Sequence, residues 1–324
     1  MIAVHLNKVQ SIQSHYISEL TNQHANALSA LELLWRKTTD RQDRIYVYQI
    51  CRLFRYNNTI INATPDELER LEKKIGSVPK IKYLVKGKKV KSHYRTKNSE
   101  IWKKIVEELG YEGLRSKFYP RYFGLLGIKS CVYCNSQYTL SVEKSAGVYI
   151  AKYDVDHHQS KSSYPWQCIS LFNLYPSCVP CNRVKSSRSI AFKLYSDDVS
   201  LVSKSGFRFQ LSALSKAQYL TTKDINDIKI TFEDLSGKTD YDTMFSIGGI
   251  YDTQLDLAEQ LIISSQMYDK ASRASLFENF KKLKITPDVF NRVILGTYTA
   301  EKDIHRRPMS KFTQDIAKDL GLLK

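Results

Sequence analysis

Four of the six cysteines in this 324-residue chain come as two Cys-x-x-Cys pairs, Cys131-Val132-Tyr133-Cys134 and Cys178-Val179-Pro180-Cys181. Each short knuckle presents two sulfurs on one side, and two knuckles together form the donor set of a tetrahedral zinc ion. Residues 135–177 separate the pairs, a longer gap than an ordinary zinc ribbon has. One ion held by Cys131, Cys134, Cys178 and Cys181 would tie both ends of that gap together and offset the entropy of closing it. The competing reading is two disulfides or buried free thiols. No signal peptide is evident, and six cysteines in a chain of this length do not make a disulfide scaffold. A structural Zn²⁺ is therefore the expectation. Cys51 and Cys168 have no partner in sequence and read as buried, inert thiols.

The gap carries a second group of reactive side chains, Asp154-Val155-Asp156-His157-His158-Gln159-Ser160-Lys161-Ser162, with Asn173 further on and Asn182 directly after the last cysteine. Hydrolysis of a phosphodiester by one metal needs a hard cation on the phosphate, a base for the attacking water and a group that aims the base. Asp156 offers a hard oxygen suited to Mg²⁺ or Mn²⁺, and His157 titrates near neutrality and can accept a proton. Any one of these residues alone would be read as a hydrogen-bonded structural side chain.

Together, inside a four-cysteine frame, they resemble the HNH endonuclease family in its zinc-stapled ββα-metal form. The resemblance covers about one sixth of the chain, from Cys131 to Ser186. It implies that Asp156 and Asn182 hold the catalytic metal, that His157 is the general base and that Asn173 orients His157. Asn182 stands where the commonest family form has a second histidine. The family's proline after the histidine is missing, whereas Lys161-Ser162 keeps the usual Lys-Ser. His158, on the opposite side of the strand end from His157, is expected to pack and not to catalyse. Asp154 shares the parity of Asp156 and is a candidate supporting residue.

A formal net charge of +16 points to a polyanionic partner, and with this motif present the partner is nucleic acid. DNA is the family's default target; RNA, including tRNA, suits the same chemistry, since the motif acts on phosphate. Candidate phosphate contacts are Lys161, Arg183 and Lys185 near the site, and Lys86, Lys88, Lys89, Lys91 and Arg95 in a basic segment. That segment, residues 80–97, has eight Lys or Arg among its eighteen residues and no acidic one. It reads equally as a phosphate-tracking arm turning at Gly87 or as a solvated loop. No stretch is long and apolar enough to span a bilayer, and a cytoplasmic protein is expected. A zinc-stabilised nucleic-acid-binding or complex-forming module without catalysis is the alternative of a different class.

The elements that must position these residues follow from periodicity. The fold class is α+β. A helical region, residues 1–114, precedes a zinc-stapled nuclease domain at 115–195, and a mixed, then mostly helical region fills 196–324. Leu20, Ala27, Leu28, Leu31 and Leu34 mark one helix, and a second covers Arg44 to Phe54. Thr64-Pro65-Asp66-Glu67 opens a third with a cap, a Pro and a Glu three residues after the cap, and Gly76 stops it. Ser99 caps a helix running to Leu109. Val148 to Val155 reads as a strand delivering Asp156 and His157 at its end. Pro180 opens a short helix that carries Asn182 in its first turn. The alternation at Phe207, Phe209, Leu211 and at Ile228, Ile230, Phe232 predicts strands. Helices are expected over Tyr251–Lys284, after Thr286-Pro287 and over Ser310–Leu320. The stretches Ile294–Tyr298 and Ser310–Ile316 are similar to the end of some stand-alone bacterial HNH proteins. Certain of those act in anti-phage systems of the Septu or retron type beside a companion ATPase, which such a resemblance would imply as a partner here.

Overall fold

The computed structural model describes residues 1–57, 60–85, 93–235, 240–280 and 283–323. It is a mixed helix-and-sheet fold, with helices in the majority. The amino-terminal helices are Leu6–Ser14, Ile17–Lys37, Arg41–Tyr56 and Pro65–Ile75. Their apolar stripes meet: Leu20, Ala27, Leu31 and Leu34 of one bury against Val47, Ile50 and Phe54 of the next. The expected capping box is formed, with Thr64 Oγ1 accepting from Glu67 N and the Glu67 carboxylate accepting from Thr64 N at 2.8 Å. Gly76 ends that helix at φ +76°, a conformation that favours glycine.

All the strands are in two-stranded pairs among the described residues. Lys80–Val85 pairs antiparallel with His93–Asn98, so the two ends of the basic segment form a ribbon; Lys86, Lys88, Lys89 and Lys91 lie outside the described residues. The strand expected over Val148 to Val155 is divided in two. Val148–Lys152 pairs with Leu140–Ser145, whereas Asp154–His157 pairs with Leu174–Ser177. The break falls at Tyr153, whose buried ring packs edge-on against Phe123 and whose hydroxyl meets Ser141 Oγ at 2.9 Å. Burying that ring turns the backbone and hands the next four residues to a different partner. After Leu174–Ser177 the chain enters the short helix Val179–Lys185, whose second residue is Pro180.

The three regions read from sequence share one hydrophobic core. Near the amino terminus, Val4–His5 pairs parallel with Tyr195–Ser196. The carboxyl-terminal region wraps the first cysteine knuckle. Tyr241 and Tyr251 donate their hydroxyls to the carbonyls of Tyr133 (2.7 Å) and Cys134 (2.9 Å). Asn135, at φ +53°, donates to Ile304 O at 2.8 Å and accepts from Lys311 N at 3.0 Å. The carbonyl of buried His305 accepts from Lys129 N and Ser130 N, at 2.7 and 3.1 Å.

Burial lowers the His305 pKa to about 4, although Nε2 donates to Ile2 O at 2.8 Å. Its folded value lies below the unfolded value of about 6.5, so on acidification the unfolded chain binds the proton first. The stabilisation is complete above about pH 6.5 and is lost as pH falls toward about 4, a loss on the order of 3 kcal/mol. His305→Gln keeps a donor without titrating, so urea unfolding between about pH 7 and pH 4 should show a shallower pH dependence than the wild type. Equal slopes would remove His305 from the account.

Candidate active site and four-cysteine centre

The hairpin Asp154–His157/Leu174–Ser177 and the helix Val179–Lys185 run consecutively beside the cysteine group. Cys131 and Cys134 come from the preceding turn, Cys178 caps the helix, and Cys181 lies in its first turn. All four are buried and free, with their Sγ atoms within 4.8 Å of one another. Cys134 Sγ and Cys178 Sγ stand 3.9 Å apart. Zinc with Zn–S bonds of about 2.3 Å has sulfur–sulfur edges of about 3.8 Å, so the spacing and donor chemistry suit a metal ion such as zinc. Ser136 supports a thiolate at Cys134, donating from N (3.4 Å) and Oγ (3.1 Å) to its sulfur. Cys51 and Cys168 lie apart from this group, both buried.

A cleft of about 270 Å³ opens beside the hairpin, lined among others by Tyr111, Arg115, Asp154, Asp156, His157, Lys161 and Asn182. His157 sits on its floor. Its Nε2 lies 3.1 Å from Cys168 O, and since a carbonyl only accepts, Nε2 carries the hydrogen and Nδ1 is left as the acceptor. The ring packs 5.0 Å from that of Tyr111. Burial, with Lys161 nearby, holds the His157 pKa well below the ordinary histidine value, so the imidazole is neutral at pH 7. Lys161 lies over the Tyr111 ring at 4.3 Å, and burial lowers its pKa.

The remaining predicted residues are arranged differently from the sequence expectation. Asn182 does not meet Asp156: its Nδ2 donates to Asp154 Oδ2 at 2.9 Å. Asp156 is buried and held by two protein donors. Tyr133 donates its hydroxyl to Oδ2, and the Lys185 ammonium lies 3.1 Å from Oδ2 and 3.3 Å from Oδ1. Burial raises the Asp156 pKa, and the Lys185 charge opposes that rise. Lys185, expected to contact phosphate, is instead fully buried, its ammonium also donating to His157 O at 2.6 Å. The helix turns this side chain inward because an unpaired buried carboxylate would be costly.

Asn173 does not touch the His157 ring. Its Oδ1 accepts from Gln159 N (2.7 Å) and its Nδ2 donates to Gln159 O and Gln167 O, so it fixes the loop that carries Cys168 O to the histidine. His158 points away from the cleft and stacks on Tyr175 at 5.3 Å. Arg183 and Arg95 are exposed.

Sequence reasoning did not single out Tyr133, Arg115, Tyr111 or the Cys168 carbonyl. Tyr133 lies inside the first knuckle, and its hydroxyl reaches the hairpin at Asp156. Arg115 comes from the helix Tyr111–Lys117 and approaches Asp154 at 3.7 Å, a contact with no local sequence signal.

Lys185→Met leaves the Asp156 carboxylate buried without its cation. The expected loss is about 3–5 kcal/mol in urea unfolding, partly recovered when Asp156→Asn removes the charge as well. A single variant as stable as the wild type would show that the pair contributes nothing. No family model matches this chain, and no curated protein or solved structure matches it.

Proposed function

We propose that the chain is an HNH-type endonuclease that hydrolyses phosphodiester bonds of nucleic acid, its ββα core stapled by a zinc ion on Cys131, Cys134, Cys178 and Cys181. The observation that carries this reading is the cleft beside the cysteine group. There a neutral histidine with a defined acceptor nitrogen stands among Arg115, Lys161, Asp154 and Asn182. His157 Nδ1 takes the proton of a water whose oxygen attacks phosphorus. The bond from phosphorus to the leaving sugar oxygen breaks, and that oxygen is protonated from solvent. Arg115 and Lys161 offset the negative charge that grows on the phosphate oxygens. Tyr111 and the Cys168 carbonyl hold the ring in one tautomer and orientation.

A hard divalent cation, Mg²⁺ or Mn²⁺, supplies Lewis acidity when bound. The donor set that suits it is the carboxylate of Asp154 with the amide oxygen of Asn182, since ions of this kind are held by one or two carboxylates plus substrate phosphate. Asp156 lines the same cleft but is the poorer ligand, because it is buried and the buried Lys185 ammonium and Tyr133 hydroxyl hold it, whereas Asp154 is partly exposed and its partners Asn182 and Arg115 lie at the cleft surface. That engagement also favours a second reading, a zinc-stapled binding module without catalysis.

Two measurements test the proposal. Metal analysis of purified protein should find one zinc per chain, and Cys131→Ser should lower both zinc content and thermal stability; folded protein without zinc would remove the staple. Plasmid, single-stranded DNA and bulk tRNA, incubated with Mg²⁺ or Mn²⁺, should include at least one that is cleaved. His157→Ala should then slow cleavage by roughly 10²–10⁴-fold while leaving zinc content unchanged. Folded, zinc-loaded protein that cleaves none of the three, or an unaffected His157→Ala variant, would leave the binding module as the better account.

A further inference from the structure

The hairpin Lys80–Val85/His93–Asn98 is unlike the other strand pairs, because neither of its faces is covered. Along its length Lys80, Ile81, Lys82, Tyr83, Leu84, Tyr94, Arg95 and Lys97 are all exposed, Tyr94 at 73%. A two-stranded ribbon with both faces in water is marginal by itself, and apolar and aromatic side chains left bare on it call for a partner.

Register sorts its side chains. Ile81 faces Lys97 and Tyr83 faces Arg95, while Lys82 faces Thr96 and Leu84 faces Tyr94. Residues paired across an antiparallel ladder share a face, and successive residues alternate. One face therefore carries Arg95 and Lys97 with Tyr83, and the other carries Lys80 and Lys82 with Tyr94. The Tyr83 ring is taken by Lys97, whose ammonium lies over it at 5.8 Å. Cations on both faces suit a partner with negative walls on both sides. A single strand lying along one face would leave half of them unused.

The base of the ribbon is fixed to the cleft. Val78 N donates to Ser163 O at 2.9 Å, and Asn98 Nδ2 donates to Ser162 O at 2.6 Å. Ser162 lines the cleft, next to Lys161 and five residues after His157. Strands of six residues extend about 20 Å, and two strands lie about 4.8 Å apart. The major groove of B-form DNA, about 12 Å wide with phosphates on both walls, admits such a ribbon. The deep, narrow major groove of A-form RNA does not.

We infer that this ribbon inserts into the major groove of duplex DNA and presents the adjoining backbone to the cleft. The inference rests on reading the cleft as a phosphodiester site. Lysines on an exposed ribbon also guard against strand pairing between molecules, which is the competing explanation of its charge.

The test compares full-length wild type with the variant Lys80→Gln, Lys82→Gln, Arg95→Gln, Lys97→Gln. Fluorescence anisotropy, without added divalent metal, measures binding of one sequence as duplex DNA, single-stranded DNA and duplex RNA across a salt series. Wild type should bind duplex DNA most tightly. The variant should lose about tenfold or more in duplex affinity, with a salt slope lower by about 2–4, since each phosphate contact contributes about 0.9. Unchanged affinity and slope, tighter binding of single strands or duplex RNA, or a variant that self-associates yet keeps its duplex affinity would overturn the inference. Hydrolysis of bis-nitrophenyl phosphate with Mn²⁺, which reads the cleft without the ribbon, should be equal in the two proteins. Ribbon-dependent duplex binding without any such hydrolysis would sustain the ribbon and sink the nuclease reading instead.

Discussion

Four buried sulfurs within 4.8 Å of one another constrain this molecule more than any other feature. They bring residues from either side of a long loop to one point, and everything placed between them inherits that closure. Asp154–His157 and Leu174–Ser177 can pair because their far ends lead to opposite knuckles of the same group. Four thiols this close repel as thiolates and pack poorly as thiols, so the arrangement suits a bound metal ion such as zinc, which would then act as a folding determinant. The carboxyl-terminal region closes over the same point. Tyr241 and Tyr251 satisfy the knuckle's carbonyls, and Asn135 is held from the segment around Ile304 and Lys311. That region therefore serves the cysteine centre from a distance of more than a hundred residues in sequence.

The second constraint is electrostatic and lies directly under the cleft. The Asp156 carboxylate, Lys185 ammonium and Tyr133 hydroxyl form a buried set in which each group compensates another. Such pairs add little net stability over apolar packing but are costly to break, so they define a particular arrangement of the elements that carry them. Here they lock the helix Val179–Lys185 onto the hairpin and tie the knuckle to both. Lys185 also holds the His157 carbonyl, which keeps the histidine backbone in place while Cys168 O fixes its ring. The cleft surface is left with Asp154, Asn182, Arg115 and Lys161, a mixture of hard oxygens and cations. The proposed phosphodiester chemistry is consistent with that mixture, and the basic ribbon rooted at Ser162 and Ser163 extends the positive surface away from it.

Much of the fold was legible because its signals are local. The capping box at Thr64, the glycine stop at Gly76 and the Pro180 helix start depend on a few neighbouring residues, and each formed where it was expected. The pairing of Lys80–Val85 with His93–Asn98 was one of two equal readings of the basic segment, because a charged run with a glycine suits a solvated loop as well as a hairpin. The strand at Val148–Val155 was only half legible. Its β propensity is real throughout, but the burial of Tyr153 divides it, and propensity carries no information about which partner a strand will find.

For the candidate site the division is sharper. Residue types and spacing were enough to gather the four cysteines, since short knuckles impose their own geometry, whereas Asp156, His157, Asn173 and Asn182 were grouped only by resemblance to the HNH family. Which atoms meet was decided only by tertiary packing. Asn182 turns to Asp154, Lys185 turns inward to Asp156, and Asn173 holds a loop in place of a ring. The physical reason is that a side chain's partner depends on desolvation. Once Asp156 is buried it must be neutralised by the nearest cation, and no spacing rule along the chain states which carboxylate will be buried and which will face the cleft.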